Sequence, residues 1–244
     1  MKTKVNELSP SVYARIAGVL YLIITIAAIF AHFVIPEQFI VPGDAAATAV
    51  NIATSESLFR IGVVGSELIV LLSEIMLSVV LYVLLKPVNK TLSLVAAVSR
   101  LAMTTIHGLN LLNYYFVLQL LTGGDYLTVF GQEQVNALVT LFLDAHSIGF
   151  TIGIAFLVPH VLILGYLIYQ SGYFPKLLGI LFIAAGVGYL FDTTGLLLVP
   201  GYTTTPDLIA MVIAIAEIAF PIWLLVKGVN SDRWQNRALA IESA

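Results

Sequence analysis

The sequence predicts an all-α membrane protein, a six-helix transmembrane bundle with both termini cytoplasmic, built as a single transmembrane domain. Three observations predict it. Of the 244 residues, 59% are hydrophobic and only 10% are charged, whereas a soluble domain carries about 25% charged residues to cover itself with groups that water solvates. Six apolar segments, at residues 16–35, 61–85, 91–121, 136–169, 175–199 and 206–228, are each long enough to cross a hydrocarbon core of about 30 Å as a helix. The positive charges, finally, keep almost entirely to one set of loops.

The first segment comes after Lys2, Lys4 and Arg15. At about 20 residues it exceeds the h-region of a signal peptide, so it is expected to be a retained span. The next stretch holds Pro42-Gly43-Asp44 and then a run of alanines, which predicts a short interfacial helix capped by Asp44. Lys86 and Lys90 separate the second and third segments, and Pro87 lies between them. After the turn at Thr122-Gly123-Gly124-Asp125, the fourth helix is expected to start near Gln132. Carried to Tyr169 it would be about 57 Å long, more than the membrane needs, and Pro159 is where it would bend. Pro175 opens the fifth segment and Pro200-Gly201 ends it. The two end hairpins echo one another weakly: Ser73-Glu74-Ile75 precedes LLKPV much as Ala216-Glu217-Ile218 precedes LVKGV. The loops on the cationic side also include Lys176, Lys227, Arg233 and Arg237; the others hold Glu37, Asp44, Glu56, Asp125, Glu133 and Asp207, with Arg60 at their margin.

Composition also excludes functions. The chain has no cysteine, so disulfides, thiolate metal sites and cysteine nucleophiles are ruled out. The net charge of -3 comes with no basic patch, so nucleic acid is not an expected partner. No phosphate loop, nucleophile elbow or dinucleotide fingerprint is present.

An ionisable group at membrane depth is costly unless paired or hydrated, and each is a functional-site hypothesis. The candidates are Glu67, Glu74, His107, Asp144, His146, Asp192 and Glu217. Seven-residue steps put Arg60, Glu67 and Glu74 on one face of the second helix, Arg100, His107 and Tyr114 with Asn110 on the third, and His146, Gly153 and His160 on the fourth. Rise per residue sets His107, Glu74 and Glu217 near the midplane and Glu67, Asp144, His146 and Asp192 in the outer half. It also separates His160 from His146 by about 21 Å and brings it nearer Arg100. Gly149 and Gly153 are expected to serve close helix packing. His32 is expected to be merely interfacial.

This cluster suits binding or proton-linked transport of a small polar solute or ion. The alternative is a metal-dependent hydrolase acting on a lipid amide or ester, with His107, His146 and Asp192 holding a divalent metal such as zinc. The ligand spacing lacks a local signature such as HExxH. A haem between His107 and His146 would require the two rings to face each other. A purely structural or partner-binding role, including a homodimer, is the remaining alternative, because buried polar groups also glue helices together.

Several stretches resemble the DUF4386 family of bacterial multi-pass membrane proteins, a domain of unknown function. They are Ala14-Arg15-Ile16-Ala17-Gly18, His146-Ser147-x-Gly149, the turn from Gly165 to Asp192, and Trp223-Leu224-Leu225-Val226-Lys227-Gly228. The resemblance implies a bacterial inner-membrane protein. It brings no activity and no catalytic or binding residues.

Overall fold

A computed structural model describes residues 8–242; Lys2 and Lys4, counted above as orienting charges, lie outside the described residues. Among the described residues every regular element is a helix, with no strand. Six helices are long and apolar enough to cross a membrane: α1 (Pro10–Phe39), α3 (Glu56–Leu85), α4 (Lys90–Thr122), α5 (Gln132–Ser171), α6 (Lys176–Leu198) and α7 (Asp207–Val226). Two shorter ones are α2 (Ala45–Thr54) and α8 (Ser231–Glu242). An all-α, six-span membrane protein is therefore what the sequence encodes.

Local chemistry accounts for several boundaries. The Asp44 carboxylate accepts from Ala47 N at 2.8 Å and caps α2 as expected. Pro175 and Pro206 cap α6 and α7. Gly172 closes α5 with φ +75°, a conformation L side chains rarely adopt. Helix α5 runs for 40 residues and continues through Pro159. The spans are inverted relative to soluble helices. On α3 the exposed stripe is Leu68, Ile69, Leu72, Ile75, Met76 and Val79, while Glu67, Ser73, Glu74 and Ser78 are buried.

Two spans are not regular. α1 contains a π turn at Phe30–Val34 and α3 another at Arg60–Gly65. Each inserts an extra residue into a turn and so rotates the remainder of its helix by about 100°. This corrects one expectation: Arg60 does not share the buried face of Glu67 and Glu74. It is exposed and pairs with Glu56 one turn back.

The chain packs as two compact units. One comprises Met1–Leu22, Glu74–Met103 and Ile154–Ala244, so far as those ranges are described, and the other Ile23–Ser73 and Thr104–Gly153. In the terminal unit Phe220 packs edge-on against Tyr21 and Phe182 over fully buried Leu164, Leu167 and Leu224. Gly165 and Gly179 let α5 and α6 approach so closely that a Cβ at Gly179 would lie 2.6 Å from Gly165 O. Helix α8, not among the expected elements, closes one end of this unit. Arg237 donates to the carbonyls of Gln170, Ser171 and Pro87, Arg233 to Gly172, and Trp234 to Leu84. The two arginines thus serve carbonyls at and just past the end of α5, and the Trp234 indole serves one in the last turn of α3. The core of the central unit joins Ile35, Phe39, Ile52, Phe59, Val63, Tyr114, Val117, Leu118 and Val139.

Candidate functional site

The expected site residues fall into separate groups. In the central unit, α3 presents Glu67, α4 His107, Asn110 and Tyr114, and α5 His146, all at most 7% exposed. To these α1 adds His32, whose Nε2 lies 3.2 Å from Glu67 Oε1. His32 thus belongs to the buried cluster, contrary to the expectation of an interfacial residue. Its π turn, which is not legible locally, carries it there. Phe150 lies between the two rings, stacked on His107 (centroids 4.7 Å, 11°) and tilted against His32 (4.5 Å, 55°). His146 stacks on Tyr114 with centroids 3.7 Å apart, and Asn110 Nδ2 donates to His146 O at 2.9 Å. Nε2 of His107 meets Phe150 O at 3.1 Å.

Two glycines make room for these groups. A Cβ on Gly153 would collide with the His107 ring, and one on Gly149 with the Asn110 amide. The pair expected to bring helices together instead makes space for polar side chains.

Glu67 is the exception to polar satisfaction here. Its Oε1 is buried and, among the described residues, has no hydrogen-bond partner. His32 is within reach but not aligned as a donor. Buried polar atoms are nearly always hydrogen-bonded, so this oxygen calls for an explanation.

Asp144 is exposed, unlike the other carboxyl groups of the expected site. It lines a cavity of about 380 Å³ in the same unit, with Asp44, Thr48, Thr140 and Ser147 among its other walls.

In the terminal unit the polar centre is Arg100. Its guanidinium grips Glu74 as a fork, through Nε to Oε2 and through Nη2 to Oε1 at 2.9 Å. Nη1 donates to His160 Nε2 at 2.9 Å and to the Tyr21 hydroxyl at 3.4 Å, and the guanidinium carbon lies 5.2 Å from the Tyr21 ring centroid. His160 Nδ1 in turn donates to Ala96 O at 2.9 Å. Both histidine nitrogens are thereby assigned, with the proton on Nδ1. Glu217 is half-buried and within electrostatic range of Arg100 and Glu74. Glu74 is thus held in a satisfied buried ion pair, which fixes packing.

Asp192, in the terminal unit, has contacts of its own. Its two oxygens accept from the Tyr202 hydroxyl at 2.8 Å and the Thr205 hydroxyl at 2.9 Å, so it ties the α6–α7 loop to α6. Burial, then the hydrogen bond to Asp192, pushes the Tyr202 hydroxyl up to about 12.

Among the described residues no three His, Asp or Glu side chains form a group that could hold a metal ion. The three residues expected as possible ligands make other contacts: His107 and His146 stack on aromatic rings, and Asp192 accepts from two loop hydroxyls. The rings of His107 and His146 likewise face Phe150 and Tyr114, not each other across a haem.

Comparison with known proteins adds a family and no activity. The family described as a domain of unknown function, DUF4386, matches residues 16–228. An uncharacterised protein of Archaeoglobus fulgidus is 33% identical over 166 residues, 68% of this chain and 83% of that protein. No solved structure matches. With a match that spans all six apolar helices, the chain belongs to the DUF4386 family.

Proposed function

We propose that this multi-pass protein resides in the cell membrane, the inner membrane in a bacterium, with both termini cytoplasmic. In this reading the cluster of His32, Glu67, His107 and His146 binds or moves a small polar solute or ion, with protonation of the carboxyl group coupled to binding. The observation that carries the proposal is the unpartnered, buried Oε1 of Glu67 facing an imidazole. Helix packing alone gives no reason to leave such an oxygen unsatisfied, because replacing both groups by apolar ones of similar shape is nearly neutral. The charge partition of the loops supports the orientation.

The test is proton flux into liposomes holding the full-length protein and a trapped pH-sensitive dye. A panel of small amines and inorganic cations is added outside. A solute-dependent flux that Glu67→Gln abolishes supports the proposal. No flux with any solute, together with unchanged dye response in Glu67→Gln, sinks it and leaves the cluster a structural role.

A further inference from the structure

Nε2 of His32 lies 3.2 Å from Oε1 of Glu67, a buried oxygen that has no hydrogen-bond partner among the described residues. We propose that His32 and Glu67 form an exchangeable proton site, holding one proton between Nε2 of His32 and Oε1 of Glu67. The inference rests on the solute-binding reading and names the group whose protonation that reading requires.

The transfer balances simply. With the proton on Oε1, the pair is a carboxylic acid beside a neutral imidazole. Transfer breaks that O–H bond, forms an N–H bond at Nε2 and leaves carboxylate beside imidazolium. The imidazolium then gives that proton to water, leaving carboxylate beside neutral imidazole, and uptake reverses the steps. The separation of 3.2 Å is within the reach of direct transfer, about 3.2 Å between heavy atoms, once a turn of the imidazole ring aims Nε2 at Oε1.

Exposure gives the path a direction. The His32 side chain is 20% exposed and that of Glu67 5%, so protons enter and leave through the imidazole, while the carboxyl group is the deep store. Two irregular turns position the pair: His32 lies within the π turn of α1, and Glu67 comes two residues after the π turn of α3. The two turns pack together, a Cβ at Gly62 lying 3.0 Å from the Ile35 side chain. Such turns recur at functional sites, because the extra residue re-aims a side chain at the expense of regular hydrogen bonding. The other titratable groups facing the pair are His107 and Tyr114 from α4 and His146 from α5. Arg60, the nearest cation on α3 itself, is exposed and held by Glu56.

The experiment is a pH titration of the full-length protein in liposomes, monitored by infrared difference spectroscopy of the protonated carboxyl C=O stretch. The proposal expects one carboxyl band that appears and disappears with pH, is lost in Glu67→Gln, and persists with a shifted midpoint in His32→Gln. Should Glu67→Gln fail to fold, Glu67→Asp must move the band's frequency. A spectrum in which neither Glu67 variant changes any band, or in which His32→Gln leaves the midpoint unmoved, overturns it. Solute-driven flux that survives such a result would leave the transport reading standing with its proton elsewhere. An intact Glu67 band without any flux would sink the transport reading and leave the proton site.

Discussion

Replacing Arg100 by Met takes the donor from Glu74, His160 and the Tyr21 hydroxyl at once. Glu74 loses both arms of its fork, and His160 Nε2 loses the donor at 2.9 Å. Removing one member of a buried ion pair leaves an uncompensated charge and costs about 3–5 kcal/mol; a buried acceptor without its donor adds about 1–3 kcal/mol. The double variant Arg100→Met/Glu74→Met removes both charges of the pair and takes the donor only from neutral groups, the imidazole and the Tyr21 hydroxyl, so its expected loss is the smaller figure, about 1–3 kcal/mol. Glu74→Gln should fall between them, because Glu217 stays within electrostatic range of the guanidinium. The assay is equilibrium unfolding in mixed micelles by SDS titration. It is read from Trp223 and Trp234, the two tryptophans, both in the unit that holds Arg100. The double variant must be more stable than Arg100→Met. If the two are equal, or if Arg100→Met loses less than about 1 kcal/mol, the buried fork does not hold this unit together and the reasoning fails.

The other predictions come from neighbouring details. Gly153→Ala forces the His107 ring out of its place, and overpacking of this kind costs about 1–3 kcal/mol; His107→Ala in the same chain should recover part of that loss, measured in the same titration. Arg237→Ala removes the donor to the carbonyls of Gln170, Ser171 and Pro87 and should speed amide exchange in α8 and in the last turn of α5, with the central unit unchanged. Tyr202 should ionise near 12 against an ordinary value of about 10. A raised value in the fold means that its contribution is complete below about pH 10 and is lost as pH climbs through about 12. Tyrosinate absorbance of Tyr202→Phe subtracted from that of the parent protein checks this, and a difference titrating at about 10 would refute it.

Much of the fold is legible in the sequence, for physical reasons that act locally. An apolar run of about 20 residues must be helical in hydrocarbon, where each backbone group needs a partner from its own segment. That reasoning finds all six apolar helices, though the first begins six residues before its expected bounds and ends four past them, and the second begins five early. Asp44 announces α2 by its capping chemistry. Helix α8 is legible too, though its cations first read only as orienting charges: Arg233 and Arg237 stand four residues apart beside Trp234, a spacing that puts them on one face. The π turns are not legible. Nothing in Phe30–Val34 or Arg60–Gly65 distinguishes these residues from regular helix, since the extra residue is accommodated by packing between the two turns. With it goes the placement of His32 and the loss of Arg60 from the buried face.

What the sequence determines by itself is how many spans there are and that polar stripes must turn inward. Hydrocarbon rejects exposed charge and demands self-satisfied backbone, and both constraints are written residue by residue along the chain. Which polar groups meet is decided only in the folded molecule. Seven-residue spacing makes Glu67 and Glu74 look equivalent, yet one is gripped by Arg100 and the other has an unpartnered oxygen beside His32: Glu74 is the gripped one, Glu67 the unpartnered one. Asp192, equally acidic and equally apolar in its surroundings, is claimed by two hydroxyls of its own loop. A side chain's partner depends on lateral position and helix phase. Glycine clearances such as Gly153 beneath His107 and the extra residue of a π turn set that phase, and neither acts until the helices have packed.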